Sequence, residues 1–288
     1  DNPKKTLPSG WNVALREYKG DAIIKVDAHA VIPEDFVSKN VRVLETGEYI
    51  CGGQRPNIID KPTPFKETLL LAESSMFGSS IASYRNNPGK TYVKSLFHAA
   101  YRREVFEKVG FFNEELVRTE DNEIHYRMRK AGYKLCFDPD IISYQYTRSS
   151  LKAMLKQKYA NGYWIGKTSK VCPKCLSIYH FVPFAFVSAI IASGSVIGAT
   201  GLAECIKKRH NHTLGKGISA LRKVTVVLTT VMWVLYALMA SGMAAVSAFK
   251  AEDKRNITNA CLPVLFLLLH LSYGIGTIAG LMDKSKRG

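Results

Sequence analysis

Charge is absent from three long stretches of this sequence: residues 181–203, 224–249 and 257–282 contain no Asp, Glu, Lys or Arg. Each exceeds the roughly 20 residues needed to cross a hydrocarbon core. Three such runs in one tail point to membrane insertion rather than to three buried core helices. Cysteine is sparse as a ligand set: of six, only Cys172 and Cys175 lie close together, in "CPKC", with His180 the one histidine nearby. A structural zinc site needs four ligands and is not completed here. A redox pair would open a helix in a thioredoxin-like unit, whereas this one precedes an apolar run, so both read as reduced cytosolic thiols. No basic run with interleaved aromatics occurs, which sets nucleic acid aside as a partner despite a pI near 9.5. There is no internal repeat and no low-complexity tract, and no basic-then-apolar leader follows Asp1.

What is present is a chain of 288 residues, enough for one large domain or two ordinary ones. Its net charge of +16 divides evenly, with 28 basic and 20 acidic residues before Ile178 and 12 and 4 from there on. The tail's basic residues sit between and after the apolar runs. That suits contact with anionic membrane lipids, worth about 1 kcal/mol per Lys or Arg near the surface.

The region before the tail alternates helix and strand signals. "PSGWNVALREYKG" has a capping Ser9, apolar residues at helical spacing and a terminating Gly20, and "DAIIKVDA" follows as a buried strand. This is an αβ unit and favours an α/β sheet domain. "PEDFVSKNVRVLET" reads as a second helix with Glu34 and Asp35 in its first turn, and "EYICGGQR" as strand into glycine turn. Residues 53–98 are rich in Gly, Pro, Ser and Asn and are expected to wrap a site, with a helix in "PFKETLLLAESSMF". "HAAYRREVFEKVG" reads as a helix, residues 119–130 as another, followed by a strand ending before Pro139. "SSLKAMLKQKYANGYWIGKTSK" reads as an amphipathic helix leading to the first apolar run. The expected division is a catalytic domain at 1–150, an interface helix and linker at 151–177 and a membrane region at 178–288.

Three groups could carry chemistry. Asp27 and His29 stand at the carboxyl end of an expected parallel strand, where open α/β sheets bind ligands. Alternation puts both on one side of the backbone, where they could hold a divalent cation or simply form a polar strand end. Glu120 and Asp121 open a helix, with Glu123 one turn on; Thr119 capping and the helix dipole account for them, as does a general base acting on a hydroxyl. Lys156, Gln157, Lys158, Tyr159, Tyr163, Trp164 and Lys167 are either interfacial anchors or a surface for a diphosphate and a sugar.

The order of these pieces resembles family 2 glycosyltransferases. It runs from "NPKKTLPSGWNVALREYKGDAIIKVDAHAVIPEDFV" through "GG" and "HAAYRREVFEKVGFFNEELVRTEDNEIHYRMRKAGYKLCFDPD" to an aromatic-basic helix and apolar runs, the last containing "HLSYGIG". The nearest branch looks like the bacterial membrane enzymes of succinoglycan and capsular polysaccharide assembly. The resemblance implies a GT-A-like mixed sheet flanked by helices, followed by an all-α membrane region. It implies that Asp27 and His29 stand where the family's Asp-x-Asp motif binds Mg²⁺ or Mn²⁺ with the donor diphosphate. Thr119, Glu120 and Asp121 match the Thr-Glu-Asp motif, with Asp121 as general base and Glu120 orienting it or binding acceptor. Arg102, Arg103, Gln157, Lys158 and Trp164 would contribute to phosphate or acceptor binding. The processive Gln-x-x-Arg-Trp motif is not reproduced: Gln157 and Trp164 are seven apart with no Arg between.

The implied reaction is an inverting transfer from a nucleotide-diphosphate sugar, expected to be a UDP-sugar, to a saccharide or polyprenyl-diphosphate-linked acceptor. It would take place at the bacterial cell membrane, with a multi-pass anchor and the catalytic domain on the cytoplasmic side. About sixty residues that open the family's domain have no counterpart here, so this chain alone is expected to turn over weakly or not at all. The first apolar run contains Pro183, Gly194, Gly198 and Gly201. It is therefore either a full span or a re-entrant hairpin that keeps the basic loop at 204–223 inside. The competing class is a non-catalytic membrane scaffold or transport-associated protein retaining the fold.

Overall fold

The computed structural model describes residues 1–2, 4–78, 89–209, 215–251 and 256–284. After helix α1 (Leu7–Glu17) comes strand β1 (Ala22–Lys25), a short β2 (Ala30–Val31), α2 (Phe36–Glu45), β3 (Ile50–Gln54), β4 (Asn57–Ile58) and α3 (Pro64–Ser74). Then follow β5 (Thr91–Val93), β6 (Ala99–Arg102), α4 (Arg103–Val109), α5 (Glu120–Lys130), β7 (Leu135–Ile142) and β8 (Tyr144–Tyr146). Four long helices complete the chain: α6 (Leu151–Val171), α7 (Val182–Arg209), α8 (Lys216–Lys250) and α9 (Leu262–Met282).

Five strands form a mixed sheet in the order β1-β6-β3-β7-β5, with β3 and β7 parallel and the other neighbours antiparallel. A second, three-stranded sheet runs β2-β8-β4. The main core lies where α1, α4 and α5 cover one face: Leu15, Phe106, Ile124 and Met128 pack on Ile50, Tyr101, Leu135 and Phe137. The other face is covered by α2 through Phe36, Val43 and Leu44, which meet Cys51, Ala100 and Cys136.

Several local expectations are corrected. β1 is an edge strand pairing antiparallel with β6, so it is neither parallel nor fully buried. "AAYR" is strand, because Ala99 to Tyr101 sit buried between two sheet neighbours; helix begins only at Arg103. Gly52 and Gly53 lie inside β3 rather than in a turn, and a Cβ on Gly53 would come within 2.0 Å of the Ile141 carbonyl of β7. Glu34 and Asp35 precede α2, whose first turn holds no acid; Asp35 pairs instead with Lys39 at 2.8 Å. β7 continues through Pro139, which is tolerated where the ladder shifts register beside Gly52 to Gln54. α7 is one unbroken helix, so its glycines do not make a re-entrant hairpin. Residues 210–214 of the basic loop, including position 212, fall outside the described residues.

Candidate active site

The site gathers at one end of the β1–β6 pair. Lys25 closes β1 opposite Ala99, so the chain leaving β1 and the residue entering β6, His98, come side by side. α5 starts above them. The Lys25 side chain is buried, with Trp11, Phe97 and Phe112 rings 5.7 to 6.0 Å from its ammonium. Its Nζ donates to Asp121 Oδ1 at 2.6 Å and stands 3.7 Å from Glu120 Oε1. A buried ammonium requires a charge partner. Burial works against its charge, but Asp121 and then Glu120 outweigh it, and the Lys25 pKa is raised.

The two carboxyls differ in a way that divides their roles. The Asp121 side chain is 17 % exposed and the Glu120 side chain 4 %, so Asp121 is the one a substrate can reach. Burial, then the charge of Asp121, pushes the Glu120 carboxyl up to about 8. The neutral acid form of Glu120 is thereby favoured. His125 beneath is neutral too, its pKa lowered to about 4 by burial, with Ser95 and Tyr101 hydroxyls 3.0 and 2.8 Å from its ring nitrogens.

Asp27 and His29 lie in the turn after β1, closed by the Ala30 N–H donating to the Asp27 carbonyl at 2.9 Å. Strand alternation therefore does not set their directions. Asp27 points inward, with Oδ2 3.9 Å from His98 Nε2. Burial raises its pKa, but His98 and Lys25 outweigh this and leave it lowered. His29 is exposed, and its Nε2 is 2.6 Å from the Gln145 amide, a contact fixed by the Ala30–Gln145 register of β2 and β8.

His98 was not among the expected site residues. It is 2 % exposed, its Nδ1 lies 2.8 Å from Ser143 Oγ, and that hydroxyl in turn donates to the Gln54 carbonyl at 3.4 Å. Nε2, the other ring nitrogen, has no hydrogen-bond partner among the described residues and faces the Asp27 carboxylate. A buried polar nitrogen beside a carboxylate is satisfied by a proton or a cation between the two. A carboxylate and an imidazole facing each other in this way are a donor pair that fits a divalent cation. No cluster of three or more His, Cys, Asp or Glu suited to a metal is present among the described residues. Such an ion would draw the rest of its shell from water or substrate oxygens.

Thr119 does not cap α5; its hydroxyl makes a very short hydrogen bond to that of Thr168 on α6. Arg118 donates to Asn161 on the same helix at 3.0 Å. α6 is thereby docked at the start of α5, with Trp164 buried and the Lys158 ammonium 3.8 Å from Glu73 of α3. Gln157 Oε1 is buried with no hydrogen-bond partner among the described residues. Arg102 and Arg103 are not brought to this end. Across β1 they sit beside Ala22, where Arg102 donates to the Leu44 and Glu48 carbonyls and Arg103 to those of Tyr18 and Gly20. Lys25 had a sequence signal in its place two residues before Asp27. His98 had little beyond being the lone polar residue before an apolar strand.

A mixed sheet with an acidic turn beside an acidic helix start, joined to long apolar helices, defines a GT-A-like nucleotide-diphospho-sugar transferase fold with a carboxy-terminal helical region. The chain belongs to glycosyl transferase family group 2, whose profile matches residues 22–277. It is 28% identical over 167 residues to the succinoglycan biosynthesis protein ExoA of Rhizobium meliloti, covering 56% of this chain and 49% of that protein. Over 198 residues it is 24% identical to a dolichyl N-acetyl-alpha-D-glucosaminyl phosphate diacetamido-dideoxy-glucuronosyltransferase of Methanococcus voltae, covering 66% and 60%. Over 133 residues it is 29% identical to the O-antigen chain rhamnosyltransferase RfbN of Salmonella typhimurium, covering 44% and 42%. The chain thus spans about half the length of the curated relatives it matches.

Proposed function

We propose that the protein transfers a sugar, with inversion, from a nucleotide-diphosphate donor to a hydroxyl of a saccharide acceptor in polysaccharide assembly. The observation that carries this reading is the reachable Asp121 carboxylate, clamped by a buried Lys25 at one end of the sheet beside Asp27. The acceptor oxygen bonds to the anomeric carbon as Asp121 takes its proton, and the bond from that carbon to the diphosphate oxygen breaks. Lys25 holds one Asp121 oxygen and keeps the carboxylate aimed. Glu120, sealed beneath where burial favours its neutral form, supports that pair. Asp27 with His98, and His29 at the rim, are the residues that would hold Mg²⁺ or Mn²⁺. When bound there, the ion offsets charge gathering on the departing diphosphate.

A UDP-sugar is the preferred donor. Three helices long and apolar enough to cross a membrane follow α6, one of them, α9, packed along it, which supports a lipid-linked acceptor and a cytoplasmic catalytic domain at a cell membrane. Gln157, Lys158 and Trp164 on α6 belong to the acceptor side; Arg102 and Arg103 are left out because their guanidinium groups hold backbone carbonyls. The test is release of nucleoside diphosphate from a panel of nucleotide sugars by the natural protein in its membrane, with and without Mn²⁺. Release that depends on both donor and cation is expected. None with any donor would favour the scaffold reading.

A further inference from the structure

By length and composition α9 qualifies for a membrane crossing as well as α7 and α8 do, but its surroundings differ. Its most apolar window is 39% buried inside the protein, against 6% and 11% for the other two. Just before its first turn, Thr258 Oγ1 lies 2.6 Å from Thr68 Oγ1 of α3, which also donates to Asn259 Oδ1 at 2.7 Å. At its last turn, Lys170 Nζ donates to the Gly280 and Asp283 carbonyls at 3.1 and 2.9 Å, and Lys167 reaches the Asp283 carboxylate at 3.3 Å. That part of α6 is itself bound to the domain through Thr168 and Thr119. Both ends of a 21-residue helix, about 31 Å long, are therefore fixed to the soluble domain. A helix through a bilayer must deliver its ends to faces about 30 Å apart.

α7 and α8 stand otherwise. They meet α9 at their base, where Pro183 and Val187 abut Gly274 and where Tyr236, Ala240 and Ala244 join Leu265 and Phe266. They contact each other at that base through Phe186 on Trp233, and at the tip through an Arg222–Glu204 pair. From Pro183 to Glu204 is about 30 Å of helix, the thickness of a hydrocarbon core. Charge agrees. With two crossings the catalytic side carries nine Lys and Arg, at 167–174, 250–255 and 284–287, against six at 207–223. With three crossings the last cluster changes sides and the count reverses. The positive-inside tendency then matches a cytoplasmic catalytic domain only in the first case.

We infer that α7 and α8 are a two-pass lipid anchor, and that α9 lies with α6 along the membrane face on the catalytic side. The inference rests on the membrane reading above. It places the α6 residues beside Thr119 at the bilayer surface, where a lipid-borne acceptor would arrive.

The test is labelling of the full chain in cells with a membrane-impermeant maleimide, before and after permeabilisation. Cys172 and Cys205 are replaced by Ser, while buried Cys51, Cys136 and Cys175 are kept. Exposed Cys261 reports the start of α9. In a further Cys261→Ser background, Lys284→Cys reports its end, Glu45→Cys the catalytic domain and Gly215→Cys the hairpin tip. Gly215→Cys alone is expected to react from the face opposite the other three. Cys261 and Lys284→Cys reacting from opposite faces would overturn the inference and restore three crossings. All four on one face would instead overturn the membrane anchor itself, leaving fold and family untouched.

Discussion

Asp121 and Glu120 are neighbours in sequence held in different surroundings, both within reach of Lys25. Its ammonium sits 2.6 Å from one and 3.7 Å from the other, and Glu120 is more deeply buried. Because the folded pKa of Glu120, about 8, lies above the ordinary 4.5, the folded state binds an extra proton between those values. Its contribution to stability is therefore whole below about pH 4.5 and is lost as pH rises through about 8. Glu120→Gln keeps the neutral shape and removes this dependence, so the variant should gain about 1 kcal/mol or more on the native protein between pH 6 and 9. Thermal melts across that range check it, and a difference constant with pH would contradict it. At this scale the sequence was half legible. The acids at 27, 120 and 121 could be read in order. The inward turn of Asp27 towards His98 could not, because it depends on a β1–β6 pairing 74 residues apart at Lys25 and Ala99.

Among the elements, α6 and α9 form the seam that joins domain to tail. Gly162 and Gly166 on one face Gly276 and Gly280 on the other so closely that a Cβ on Gly276 would lie 2.1 Å from the Tyr159 carbonyl. Small residues at four-residue spacing let helix backbones approach in this way. Gly276→Val should destabilise the protein by about 1–3 kcal/mol by overpacking. Gly194→Ala on α7, where nothing lies within 4 Å, should be neutral or slightly stabilising. Chemical denaturation in detergent distinguishes them, and equal midpoints would refute the seam. Helices α3, α5 and α6 were readable from spacing, although the expected Thr119 side-chain cap of α5 is not made. β6 was taken for helix because "HAAYRREVFEKVG" has helical propensity throughout, and only the sheet on either side imposes extension on its first residues. The amphipathic reading of α6 likewise missed that a second helix covers it.

The whole molecule places an acid–lysine cluster at the start of α5, a helix docked against that start, and an apolar hairpin standing off the same helix pair. Lysine clamps and acidic turns also occur in proteins without turnover, so the account stands on the chemistry of Asp121. The most direct measurement is the rate of sugar transfer by the natural protein and its Asp121→Asn variant, with donor and Mn²⁺ saturating. Loss of a general base predicts a fall of about 10²–10⁴-fold with donor binding retained. Unchanged transfer, or unchanged cellular function without transfer, would contradict the account.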